Sequence, residues 1–149
     1  MPTVPSPQPG LPEPVEAMRR SVVAAAVACD YQQLEELASR GAARFTFSFG
    51  GGDDAAAHWR AGEAAGDEPL RYLAGLLTVP HAAAEPDQFV WPSAFAYEKW
   101  SEVPEPDRAV LRGLYTAEEL EGFARFGSYA GYRAGIAADG EWLFFVAGD

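Results

Sequence analysis

The sequence predicts an α+β fold: a small antiparallel sheet with a C-terminal β-hairpin, packed by several helices. Three observations lead there. Apolar residues recur at three- and four-residue spacing over about 15–40 and again over 69–78 and 104–126. The segment Arg44-Phe45-Thr46-Phe47-Ser48-Phe49 alternates strictly. The ending YAGYRAGIAADGEWLFFVAGD places Asp139-Gly140 between two strand-like runs, and that dipeptide supplies the positive φ angles of a tight hairpin turn. At 149 residues the chain fits one domain.

Residues 1–13 hold five prolines and no apolar period, which predicts an extended, mobile tail before a single α+β domain over 14–149. The first helix is expected from Pro14, with Val15, Met18, Val22, Ala26 and Cys29 on one stripe, which would bury Cys29 as an inert thiol. Asp30 should break that helix and cap a second, facing Leu34 and Leu37 inward to about Arg40, with Gly41 ending it. The alternating strand then turns all three phenylalanines to one side. Helices are expected over about 54–65 and 69–78, with Pro80 as a stop. Residues 88–98 read as a strand interrupted by Pro92, hence an edge or a bulge.

Over 104–126 two helical pieces are expected. Val110, Leu111 and Leu114 belong to the first, and Thr116 to Glu119 form a capping box opening the second, which turns Leu120 and Phe123 inward. In the hairpin, a two-residue loop would oppose Ile136 to Leu143, Gly135 to Phe144 and Arg133 to Val146. Tyr132, Ile136, Leu143 and Phe145 would share one face, and Arg133, Trp142, Phe144 and Val146 the other. Both faces are largely apolar, so the hairpin should lie centrally, covered on both sides. Gly131 and Gly135 leave room for large cross-strand aromatics.

Charge excludes several function classes. Twenty-two acids against eleven Lys and Arg give a net charge of −11, and no basic stripe is present, which disfavours nucleic acid and anionic membrane surfaces. One cysteine excludes an intrachain disulfide, and no apolar run approaches membrane-span length. Read as it stands the chain is cytoplasmic. The alternative is an extracytoplasmic, tethered or lipid-anchored domain, because a Pro-rich start also suits a tether.

The stretch FTFSFGGGDDAAAHWR invites a phosphate or metal reading. Asp53 and Asp54 would oppose a phosphate, and no lysine stands near. Asp54 and His58 lie one helical turn apart and could both face a metal, but two ligands are too few. The reading preferred is a strand, a turn and a helix cap. His81 is expected to be solvated beside Glu85 and Asp87, and the acids between Glu98 and Glu121 form a solvated face. Arg133 is the charge that needs explaining. It either pairs internally with Glu98 or Asp149, or binds an anionic ligand at a pocket mouth flanked by Tyr132, Trp91 or Tyr97. No cofactor fingerprint and no nucleophile with a base is found.

The ending, with FTFSFGG and VWPSAF upstream, resembles a family of uncharacterised domains of actinobacteria and proteobacteria, some apparently exported or lipid-anchored; that likeness brings no activity or site residue. The opening AVACDYQQLEELASRGAARFTFSF is similar to the start of cone-shaped folds of the nuclear-transport-factor-2 and ketosteroid-isomerase type. That likeness implies a curved sheet around an apolar pocket and transfers no catalytic residue. The expectation is a non-catalytic binding or interaction module for an unidentified small molecule or protein. The alternative is a small isomerase, cyclase or hydratase acting on an apolar substrate in an enclosed pocket, marked by Arg133, Asp87 or His81 pointing into it.

Overall fold

In a computed structural model of the chain, the residues described are 8, 10–40, 46–47 (backbone only), 60–61, 63–66, 68–84 and 87–146. The glycine run with Asp54 and His58 lies outside them, as do Asp149 and most of the strand expected over 44–49.

Helix α1 spans Glu13–Val27, one residue earlier than expected, with Pro14 in its first turn. Its buried face is Val15, Met18, Arg19, Val22, Val23, Ala25 and Ala26. Cys29 does not extend that face. It ends the helix with φ +55°, its N–H donating to Ala26 O, while Asp30 N–H donates to Ala25 O. This is a Schellman closure with cysteine where glycine is usual. The left-handed residue swings its side chain off the stripe, so Cys29 is exposed rather than buried. Asp30 then caps α2 (Tyr31–Ser39) by accepting from Gln33 N–H at 3.0 Å, as expected.

Five strands form one sheet in the order β1-β5-β4-β3-β2: β1 (Thr46–Phe47), β2 (Ala82–Ala84), β3 (Gln88–Trp91), β4 (Arg133–Ala137) and β5 (Trp142–Val146). The last four pair antiparallel, and β1 joins β5 in parallel. The C-terminal hairpin is therefore central. The strand at 82–84 was not expected, because three alanines carry no alternation. Pro92 ends β3 instead of interrupting a longer strand; a 3-10 turn, Ser93–Ala96, follows. β3 itself is internal, between β4 and β2, and not at an edge.

The turn and the register beside it differ from expectation. Of Asp139 and Gly140 only Gly140 takes a positive φ (+97°), and Ala137 N–H donates to Glu141 O across a three-residue loop, 138–140, instead of the expected two-residue one. Gly135 opposes Phe144 as expected, but Ile136 opposes Trp142, leaving Leu143 as the extra residue of a bulge. The bulge carries Trp142 to the core face, where it joins Trp91, Ala134, Ile136 and Phe145, all nearly sealed from solvent. Helices α1 and α3 (Pro69–Leu76) pack together and cover this face of β4. The opposite face holds Arg133, Gly135, Phe144 and Val146, with the 3-10 turn beside it. Residues 60–61 and 63–64 are helical, within the helix expected over about 54–65. Helices α4 (Glu105–Val110) and α5 (Ala117–Phe126) follow the 3-10 turn Trp100–Glu102, with a further 3-10 turn, Leu111–Gly113, between them.

Candidate functional site

Helix α5 begins with the expected capping box. Thr116 Oγ1 accepts from Glu119 N–H at 3.1 Å, and Glu119 Oε1 accepts from Thr116 N–H at 2.9 Å. With its start fixed, the helix brings Glu119, Gly122, Phe123 and Phe126 onto one face, at spacings of three, one and three. That face forms one wall of a groove of about 420 Å³. Tyr72 of α3, Tyr115 and the 130–132 segment form the rest. Gly122 presents bare backbone: a Cβ there would meet nothing within 4 Å. Phe126 is 64% exposed, the one large apolar side chain so exposed among the described residues.

Three tyrosines lock the far wall. Tyr132 N–H donates to Tyr115 Oη at 2.9 Å, Tyr115 and Tyr129 hydroxyls bond at 2.7 Å, and Tyr129 donates to Tyr132 C=O. These bonds close a ring through one backbone residue. Gly131 is obligatory beside it, since a Cβ would collide with both the Tyr115 and Tyr129 hydroxyls. Burial pushes the Tyr115 hydroxyl up to about 12 and raises that of Tyr129 well above the ordinary tyrosine value. Both hydroxyls are neutral and structural at physiological pH. The Tyr132 ring is thereby held between Tyr72 (centroids 4.6 Å) and Phe145 (5.3 Å). Arg71 lies over Tyr72 at 5.0 Å, continuing the stack outward.

The four ligand candidates read from sequence do not converge. Tyr132 and Arg133 point to opposite faces of the sheet, as neighbours on a strand must. Arg133 stacks over Phe95 at 5.1 Å, and Phe95 meets Phe144 edge-on at 6.3 Å. That cation–π contact lies on the sheet face away from Tyr132, and Asp149, one of the two expected ion-pair partners, lies outside the described residues. Trp91 is fully buried and its indole N–H donates to Gln8 Oε1 at 3.3 Å. Tyr97 packs half-buried against the core beyond the 3-10 turn. Only Tyr132 lines the groove.

His81 is not a solvated loop residue. It is half-buried, with Nδ1 2.8 Å from Gln8 Oε1 and its ring 5.6 Å from Trp91. Gln8 also donates from its side chain to Val79 O (2.9 Å) and from its backbone to Glu16 Oε1 (3.0 Å), so this residue of the expected mobile tail is anchored. Beneath lies Arg19, fully buried, donating to both Glu16 carboxylate oxygens and to Leu77 O. Burial, and secondarily the Arg19 charge, lower the His81 pKa, with Glu16 opposing.

A second groove of about 450 Å³ runs between the end of α1 and α3, lined by Val27, Cys29, Leu70, Ala74 and Leu114, with Arg71 and Glu68 at 3.7 Å along it. A third, of about 290 Å³, is lined by Ala83, Asp87 and Phe89 at the edge of the sheet. Among the described residues no three His, Cys, Asp or Glu side chains gather as a metal-ligand set. No described helix is long and apolar enough to cross a membrane. Comparisons with protein-family models, curated proteins and solved structures return no match. Geometry alone therefore carries the functional reading.

The sequence reading missed Phe126 and Gly122. Their signal was the spacing Glu119, Gly122, Phe123, Phe126, which runs beside the inward pair Leu120 and Phe123 on the same helix.

Proposed function

We propose that the protein is a non-catalytic binding module whose contact surface is the aromatic groove between α5 and the tyrosine clasp, and whose ligand is a segment of another protein. The observation that carries this reading is Phe126, left in solvent at the rim of a groove whose other walls are Tyr72, Tyr115, Phe123 and Tyr132. Tyrosine and phenylalanine are enriched at protein interfaces, and tyrosine above all where most of the binding energy resides. Here the clasp holds the Tyr115 side chain and stacking holds the Tyr132 ring, so little side-chain entropy is lost at these two residues when a partner binds.

Two further features favour binding over catalysis. The core face of the sheet, where a cone-shaped enzyme would keep its apolar pocket, is filled by Trp91, Ala134, Ile136, Trp142 and Phe145. The groove's buried hydroxyls are committed to one another and stay protonated at neutral pH. Random peptides displayed on phage and selected on the full chain should yield binders that bind Phe126→Ala at least roughly ten-fold more weakly, the loss typical of a truncated interface aromatic. Selected binders indifferent to Phe126→Ala would refute the groove as the contact surface.

A further inference from the structure

Charge chooses the occupant. Among the groove-lining residues Glu119 is the one carboxylate, and no lysine or arginine stands with it. Its Oε1 is occupied by Thr116 N–H, which holds the side chain in place. Helix α5 adds Glu118 and Glu121 against Arg125 alone, and Arg125 lies 3.9 Å from Glu121. Arg71, on the ridge behind Tyr72, lies 3.7 Å from Glu68. The chain as a whole carries a net charge of −11. A negatively charged ligand would therefore meet repulsion at short and long range, and a positively charged one would be steered inward.

Resting on the binding reading above, we infer that the groove takes an extended segment of a partner protein bearing a lysine or arginine and a large apolar residue. The cation sits at Glu119 and the apolar side chain against Phe126. Helix geometry sets their spacing. Seven residues along α5 rise about 10.5 Å, which an extended chain covers in about three residues at roughly 3.4 Å each. The recognised pattern is thus a basic residue and an aromatic or aliphatic residue about three positions apart. The backbone at Gly122, with no side chain above it, leaves room for the residues between them.

The same peptide selection reads this directly. Peptides that depend on Phe126 should be enriched in Lys or Arg about three positions from a large apolar residue. One such peptide, synthesised and titrated, should bind Glu119→Gln about two- to five-fold more weakly, the range for one exposed ion pair. Its affinity should also fall as salt is raised. Glutamine keeps the capping box, so the variant removes charge and not the helix start. Phe126-dependent peptides without a basic residue, or equal binding by Glu119→Gln, would overturn the basic occupant and leave the groove standing as a binding site. No Phe126-dependent enrichment at all would overturn both.

Discussion

Arg19 is fully buried on α1 and still charged, which is tolerable only because its guanidinium donates to Glu16 and Leu77 O. Removing one partner of such a pair costs about 3–5 kcal/mol. Arg19→Met should therefore lower the unfolding free energy by about 3 kcal/mol in urea titration, although methionine fills much of the space; a loss under about 1 kcal/mol would show that the pair carries little weight. Sequence pattern passes over Arg19 because a charged side chain one residue after Met18 is assigned to the solvent side. The contact that admits it, Leu77 O, lies fifty-eight residues away. His81 adds a pH dependence. Its folded-state pKa is depressed below the ordinary 6.5, mainly by burial. Between those two values the unfolded chain binds a proton that the folded one refuses. Stability therefore falls as pH drops below about 6.5, and the penalty is complete once pH passes below the depressed value. His81→Asn should flatten the slope of unfolding free energy against pH between about 7 and 5.5. An unchanged slope would assign that dependence to other groups.

At the scale of elements, local chemistry was legible and distant contact was not. The cap at Asp30 and the box at Thr116 depend on neighbours within a few residues, and each formed where its residues stand. The turn at Asp139-Gly140 formed in place too, but with a positive φ at Gly140 alone and three residues in its loop instead of two. The hairpin's register was legible only in part. Both its faces are apolar, so no inside–outside alternation pins the pairing near the turn, and a bulge at Leu143 could shift Trp142 between faces. Farther from the turn the close approach of Gly135 to Phe144 holds the register. A Cβ at 135 would strike the Phe144 ring. Gly135→Ala should consequently cost roughly 1–3 kcal/mol as an overpacking change. A neutral result in thermal unfolding would mean that the ring moves aside freely. The left-handed end of α1 is the instructive failure at this scale. The stripe reads through to Cys29, yet the capping bonds at Ala25 and Ala26 prevail over periodicity for the last residue.

For the whole molecule, a central hairpin divides the candidate residues between two sides. Trp91 belongs to the core, Arg133 to an aromatic contact on the opposite face, and Tyr132 to the clasp. The fold class was legible because it follows from hydrophobic period and turn chemistry. The candidate site was not, because it is assembled from α3, α5 and the 130–132 segment, and no local pattern states that these meet. Of the three grooves described, the one between α5 and the clasp combines a bare glycine in its wall, an exposed phenylalanine and one carboxylate. That arrangement makes binding and folding separable. Gly122→Leu places a side chain into the groove from a helical position whose Cβ meets nothing. Replacing a helix-interior glycine should raise stability by about 0.5–1 kcal/mol. The decisive measurement is the affinity of Gly122→Leu for a selected basic peptide, taken together with its melting temperature. The account predicts a melting temperature at or above that of the parent, with binding reduced at least roughly ten-fold. Undiminished affinity in a folded Gly122→Leu protein would contradict it.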